Sequence, residues 1–377
     1  MHVEAEPLER LRQRSSAKWR LFPPDVLPLF VAEMDYPLAP AVATRLHELI
    51  DLNDSGYVAG PQEAGAAFAG FASRHWGWML DPSGVRTTTD VSVGIVETLR
   101  RVIAPGDGVV ITTPVYAPFY DLVAEAGGVV VDVALREDRS LDTDAISAAL
   151  EGRARAVLLS NPHNPLGHPH SAESLTALAE VAARHGAIVV SDEIHGPLVR
   201  ADETFTPFLS VSDAARDWGV TVTSASKSFN LAGFKCALMV AQSPRTLEVL
   251  DGMWDEVHYR TSILGLHASI AAFTDGDDWL AGALAAIDRS ATLLGELLAE
   301  HLPEVRYTPP RASYLAWLDF RGLGWGDDPA ARALEVARVA LNPGLEFGAA
   351  GAGFARLNLA CSPEVLTEAV RRLAAAR

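Results

Sequence analysis

Lysine is nearly missing from this chain of 377 residues: of its 31 basic residues only Lys18, Lys227 and Lys235 are lysine, and the rest are arginine. No block of Lys or Arg offsets the net charge of −17. That excludes a nucleic-acid partner, because a phosphate backbone is held by clustered positive charge. Cysteine is equally scarce, and Cys236 and Cys361 form neither a disulfide framework nor a metal-ligand spacing, which fits a reducing compartment. No apolar run approaches the ~20 residues a bilayer span requires, so no membrane partner is expected. Residues 1–14 alternate charged and apolar side chains without the apolar core of a signal peptide, and the expected location is the cytoplasm. Internal repeats and low-complexity linkers are missing too, so the domains of the chain are expected to share a substantial interface.

What is present is the composition of a globular protein, 49% hydrophobic and 21% charged, ample for a buried core. Residues 1–44 are punctuated by Pro23, Pro24, Pro28, Pro37 and Pro40, and read as an N-terminal arm that also completes part of a small domain. Over residues 45–280, β-branched runs at 109–112, 129–133, 156–159, 187–191, 220–224 and 237–241 alternate with helical stretches at 95–103, 117–126 and 172–185. This pattern predicts an α/β domain whose largely parallel sheet is covered by helices on both faces. Residues 281–377 carry the mixed pattern of a smaller α+β domain, entered through a long helix near 279–301. Trp76 and Trp78 are expected in the core of the large domain.

In an open parallel sheet the ligand sits beyond the carboxyl ends of the strands. There the chain places Ser160-Asn-Pro-His-Asn-Pro-Leu-Gly167, Ser191-Asp-Glu-Ile-His195 and Ser224-Ala-Ser-Lys227. Ahead of a helix stands Val91-Ser-Val-Gly-Ile95, whose backbone N–H groups suit a phosphate. An amine, a carboxylate, an amide and a helix start at neighbouring strand ends are the parts pyridoxal phosphate requires. Taken singly, each motif has a bland reading. Asn-Pro-x-x-Pro-x-Gly is by itself a turn, Ser-x-x-Lys also occurs in penicillin-binding proteins, and His163, His168 and His170 lie on a proline-rich turn whose spacing matches no metal site.

Together, and with Lys18-Trp19, Val31-Ala-Glu-Met-Asp35 and Arg356-Leu-Asn-Leu-Ala-Cys361, they make the whole chain resemble a fold-type I pyridoxal-phosphate enzyme. Within the class I/II aminotransferase superfamily it is most similar to the MalY- and PatB-like cystathionine β-lyase (C–S lyase) branch. The resemblance implies a large domain with a mostly parallel seven-stranded sheet between helices, plus a smaller α+β domain. It implies that Lys227 carries the cofactor and moves the Cα proton, that Asp192 pairs with the ring nitrogen, that Asn164 donates to the phenolic oxygen and that Tyr116 stacks on the ring. His195 stands where many aminotransferases have tyrosine, which favours the lyase branch. The phosphate falls to the backbone of Val93, Gly94 and Ile95, to Ser224 and Lys235, and to Tyr57 reaching in from the neighbouring subunit of a homodimer. Arg356 grips the substrate α-carboxylate, and the strip around Ala32 faces the substrate side chain.

The reaction so implied is α,β-elimination from L-cystathionine or another L-cysteine S-conjugate. Two alternatives stay open: an aminotransferase, which would share every cofactor contact, and an additional regulatory role through a protein-binding surface. Two departures from the branch bear on substrate choice, namely Glu33 where Asp is usual and, in Phe205-Thr-Pro-Phe208, Phe where histidine is common. Lys18 has no role that the sequence reveals.

Overall fold

The β-branched runs build one seven-stranded sheet in the computed structural model, which describes residues 1–377. Its strands are β1 (Val85–Thr88), β2 (Gly108–Thr113), β3 (Val129–Ala134), β4 (Ala154–Ser160), β5 (Ile188–Asp192), β6 (Gly219–Thr223) and β7 (Ala237–Val240). They lie in the order β1-β7-β6-β5-β4-β2-β3. Only β7 runs against its neighbours; every other adjacent pair is parallel. The expected mostly parallel sheet is therefore present, together with β1, a four-residue strand too short to stand out in the sequence. Strands β2, β5, β6 and β7 are buried along their whole length, which explains why they read as continuous apolar runs. Edge strand β3 is only partly covered.

Helix α1 (Val91–Val102) lies on this sheet, with Ile95, Val96 and Leu99 packed among Val109, Ile111, Val190, Val222 and Met239. Gly94 permits the close approach: a Cβ there would come within 2.8 Å of Val222 Cγ1 and 3.2 Å of Met239 Cγ. Several helices escaped the sequence reading, among them the two that follow the N-terminal arm. Pro40–Asp51 starts on the last of the five prolines, because proline is well suited to a first helical position, where its missing N–H costs nothing. Gln62–Trp76 ends at Gly77, which takes the left-handed conformation (φ 63°) that glycine adopts without strain. Its Phe68 and Phe71 meet Trp76, Trp78 and Phe273 edge-on or tilted, so both tryptophans serve the core.

The chain divides into two units: Leu38–His163 with Pro169–Asp277, which holds this sheet, and Met1–Pro37 with Asn164–His168 and Asp278–Arg377. The second unit contains an antiparallel sheet of β8 (Arg306–Tyr307), β9 (Leu315–Asp319), β10 (Asn342–Pro343) and β11 (Phe354–Asn358), in the order β10-β11-β9-β8. The segment Leu27–Pro28 pairs in parallel with Val339–Ala340. Asn164–His168 belongs here because the Gly167 carbonyl accepts the N–H groups of Arg311 (2.7 Å) and Ala312 (2.9 Å). No helix is long and apolar enough to cross a membrane.

Candidate active site

In the unit of the seven-stranded sheet, Asp192 ends β5, in register with Ser160 of β4 and Val222 of β6. Lys227 lies directly beyond the next strand, in the short helix Ala225–Ser228 that follows β6. Ser224 starts that helix by accepting the Ser226 N–H (3.0 Å), and its hydroxyl donates to the Cys236 carbonyl (2.6 Å). An acid and an amine thus stand at the carboxyl ends of adjacent parallel strands, where α/β sheets bind ligands. Asp192 is buried and accepts the Ile194 N–H at 3.1 Å. Burial pushes its carboxyl up to about 7, against the downward pull of that hydrogen bond and of the Lys227 charge. Such a group favours its ionised form only beside a cation.

Glu193, which the sequence reading did not single out, is a second enclosed acid. It accepts the Phe208 N–H (2.7 Å) and the Ser191 hydroxyl (3.0 Å), while the Thr223 hydroxyl donates to its carbonyl (3.2 Å). These bonds brace the turn after Asp192 against β6 and the 208 turn. Burial raises the Glu193 carboxyl to about 8 from an ordinary 4.5. Between these values the folded chain keeps a proton that the unfolded chain has lost, so stability falls as pH rises, by up to ~1.4 kcal/mol per pH unit. Glu193→Gln keeps an oxygen for the Phe208 N–H and removes this slope. Its unfolding midpoint is expected to decline less than that of the parent between about pH 6 and pH 8; equal declines would show that Glu193 ionises like an exposed acid.

At the start of α1 the structure differs in detail from the sequence expectation. Asp90 caps the helix, its Oδ1 accepting the Val93 N–H (3.0 Å) and its carbonyl accepting the Gly94 N–H (3.0 Å). Ile95 lies deeper, in the core. The first-turn N–H groups that intrahelical bonding does not reach are those of Val91 and Ser92, two residues earlier than the Val93–Ile95 backbone assigned from the sequence. Lys235 Nζ meets Asp90 Oδ2 at 3.0 Å, which places a cation at the same helix start. An aspartate immediately before an apolar-periodic run is an N-cap signal, so Asp90 was there to be read.

Tyr116 lies between β2 and the helix Pro118–Glu125, its ring edge-on to Phe119 at 5.8 Å. His195 is buried at the start of the turn Gly196–Leu198, where its carbonyl accepts the Leu198 N–H (2.9 Å). Tyr57 is 90% exposed.

In the other unit, Arg356 is buried on β11. Its Nη1 donates to Asn164 Oδ1 (3.1 Å), and its Nη2 to Asn342 Oδ1 (2.7 Å) and to the Phe30 carbonyl (3.2 Å). The Phe347 ring lies 5.0 Å from the guanidinium. Arg356 therefore turns the Asn164 oxygen toward itself and the amide NH2, the donating end, away. Ala32 sits in the strip that begins at Phe30, and Asn342 is a member of this cluster that the sequence reading missed.

The model of the family described as aminotransferase class I and II matches residues 24–373. A Mycobacterium tuberculosis protein named "Putative cystathionine beta-lyase" is 44% identical, the match covering 98% of this chain and 97% of that one. Cystathionine beta-lyase PatB of Bacillus subtilis is 33% identical over 93% of this chain and 92% of its own. A crystal structure described as a "putative plp-dependent beta-cystathionase" of Corynebacterium diphtheriae superposes with a TM-score of 0.94 at 33% identity, covering 99% of this chain and 98% of that one. With the strand-end acid and amine in place and the family model spanning nearly the full length, the chain belongs to the aminotransferase class I and II family.

Proposed function

We propose that this protein is a pyridoxal-phosphate-dependent carbon–sulfur β-lyase, acting on L-cystathionine or other L-cysteine S-conjugates. The observation that carries the reading is the full-length likeness to proteins named cystathionine beta-lyase, at 44% and 33% identity, while the pair at the ends of β5 and β6, a buried carboxyl at Asp192 under the electrostatic influence of the Lys227 amine, supports the cofactor. The donor set fits the cofactor. Lys227 is the amine for its aldehyde, Asp192 the acid for its ring nitrogen, Asn164 the amide for its phenolic oxygen and Tyr116 the aromatic face. Val91 and Ser92 N–H, Ser224 and Lys235 are donors for its phosphate, with Tyr57 supplied by the second subunit of a homodimer. When bound, the cofactor supplies an electron-withdrawing ring that accepts the electron pair of the substrate Cα–H bond.

The chain's own residues do the rest. Arg356 binds the α-carboxylate through its planar fork, and Asn164 and Asn342 hold that fork in place. Lys227, neutral once released, takes the Cα proton; arginine at this position would remain charged and could not. Asp192 holds a proton at the ring nitrogen. The C–S bond then breaks with its electron pair leaving on sulfur, and thiols are acidic enough to need little protonation as they depart. Water converts the remaining three-carbon fragment to pyruvate and ammonia, and cystathionine yields homocysteine. His195, in place of tyrosine, belongs with the lyase branch, and the work is done in the cytoplasm.

The test is incubation of the purified holoenzyme with cystathionine in the absence of any 2-oxo acid. Pyruvate, ammonia and homocysteine are expected. No pyruvate, together with amino transfer once an oxo acid is added, would replace this reading with that of an aminotransferase.

A further inference from the structure

Lys18, the lysine the sequence left unexplained, has a side chain that is completely buried. Its Nζ lies 2.7 Å from Asp35 Oδ1 and donates to the Glu33 carbonyl at 3.1 Å. A buried ammonium and a buried carboxylate are each costly to desolvate, and this pair closes on a single short strip of backbone. The rest of that strip is tied as densely. The backbone N–H of Asn358 donates to the Leu29 carbonyl (2.9 Å), and its side-chain NH2 to those of Val31 (2.8 Å) and Glu33 (2.7 Å). Arg14 donates to the carbonyls of Met34 (3.2 Å) and Tyr36 (3.1 Å). Arg356 and Asn358, two apart on β11, share one face of the strand, and it is the Phe30 carbonyl of the same strip that receives Arg356 Nη2.

We propose that Lys18 is a positioning residue for substrate binding: through Asp35 and the Glu33 carbonyl it locks the strip from Phe30 to Asp35, and through the Phe30 carbonyl that strip sets the Arg356 fork. The inference rests on the reading of Arg356 and the Ala32 strip as the substrate contacts. It gives a second chemical reason for an amine, after that at Lys227, in a chain that otherwise uses arginine, since a compact ammonium fits between a carboxylate and a carbonyl where a guanidinium fork is too wide.

The test is the holoenzyme of Lys18→Met/Asp35→Leu, which removes both charges and leaves neither unpaired, beside Arg356→Ala. The double variant is expected to raise KM for the amino acid at least tenfold, with a smaller change in kcat and with the visible absorbance and affinity of the cofactor as in the parent. Parent-like KM in the double variant while Arg356→Ala raises it would overturn the role of Lys18 and leave the Arg356 assignment standing. Parent-like KM in Arg356→Ala would remove that assignment, and this proposal with it. A KM rise accompanied by lost cofactor affinity would also count against positioning. If the double variant does not fold, hydrogen exchange of the parent decides. The Leu29, Glu33 and Asp35 amides, bonded to Ala340, Val31 and Ala360, are expected to be protected, and exchange at the rate of exposed loops would refute a locked strip.

Discussion

Lys227→Ala is expected to lose both the visible absorbance of the lysine-bound cofactor and the lyase activity. Alanine offers no amine for the cofactor aldehyde and no base for the Cα proton, and no second lysine is at hand to replace it. Lys18 is enclosed in the other unit of the chain and paired with Asp35, while Lys235 is paired with Asp90. A fall on the order of 10⁴ in kcat, the upper end of what a positioned acid–base group contributes, is expected on the loss of proton transfer alone. The helix Ala225–Ser228 is held by Ser224 and does not depend on the lysine side chain, so the variant should fold. A visible absorbance and turnover that survived would refute the assignment of Lys227.

Asp192→Asn is expected to move stability and activity in opposite directions. Asparagine keeps an oxygen for the Ile194 N–H, but has no charge with which to hold a proton on the ring nitrogen. Removing one preorganised electrostatic partner of this kind costs about 10² to 10³ in kcat. In the cofactor-free protein the same change removes a carboxyl that burial has raised to about 7 from an ordinary 3.8. That acid destabilises the fold as pH rises between those values and most strongly above them, so the cofactor-free variant should unfold at a higher temperature than the parent at pH 8. Near-normal turnover would mean that another group protonates the ring; an unchanged unfolding midpoint would mean that Asp192 is not a strained acid.

The placement of these two residues at neighbouring strand ends was legible in the sequence because strand ends in a parallel sheet announce themselves. The runs ending at Leu159, Val190 and Thr223 are buried on both faces, and the first residues after them are the candidate site residues. The helix Ala172–His185 was equally plain, bracketed by the Ser171 cap and the left-handed Gly186. What escaped did so for local physical reasons. Pro40 was read as an interruption although it is the first residue of a helix. The four residues of β1 carry too little pattern to be recognised. The register of the helix start depended on the Asp90 cap, which engages Val93 and Gly94 and leaves the N–H groups of Val91 and Ser92 as the candidate anion donors. The cluster around Arg356, and the bonds from Asn358 to the strip that Lys18 holds, join residues more than three hundred positions apart in the chain, such as Phe30 with Arg356 and Val31 with Asn358, and no local spacing encodes such a pairing.

Lysine scarcity gains a sharper meaning from the structure. Lys227 has the chemistry that arginine lacks, Lys235 meets an acid at the helix start where arginine would serve as well, and Lys18 fills a closed pocket between Asp35 and Glu33. The first of these is central to the proposed proton transfer, which a lyase and an aminotransferase would share, so it is the products that distinguish the two reactions.

The most direct measurement of the central claim is the product ratio from one holoenzyme preparation given cystathionine and a 2-oxo acid together, scoring pyruvate, ammonia, homocysteine and transferred amine. A lyase predicts pyruvate, ammonia and homocysteine in equal amounts, with amino transfer a minor fraction of turnover. Amine transferred in proportion to cystathionine consumed, without release of homocysteine, would contradict it.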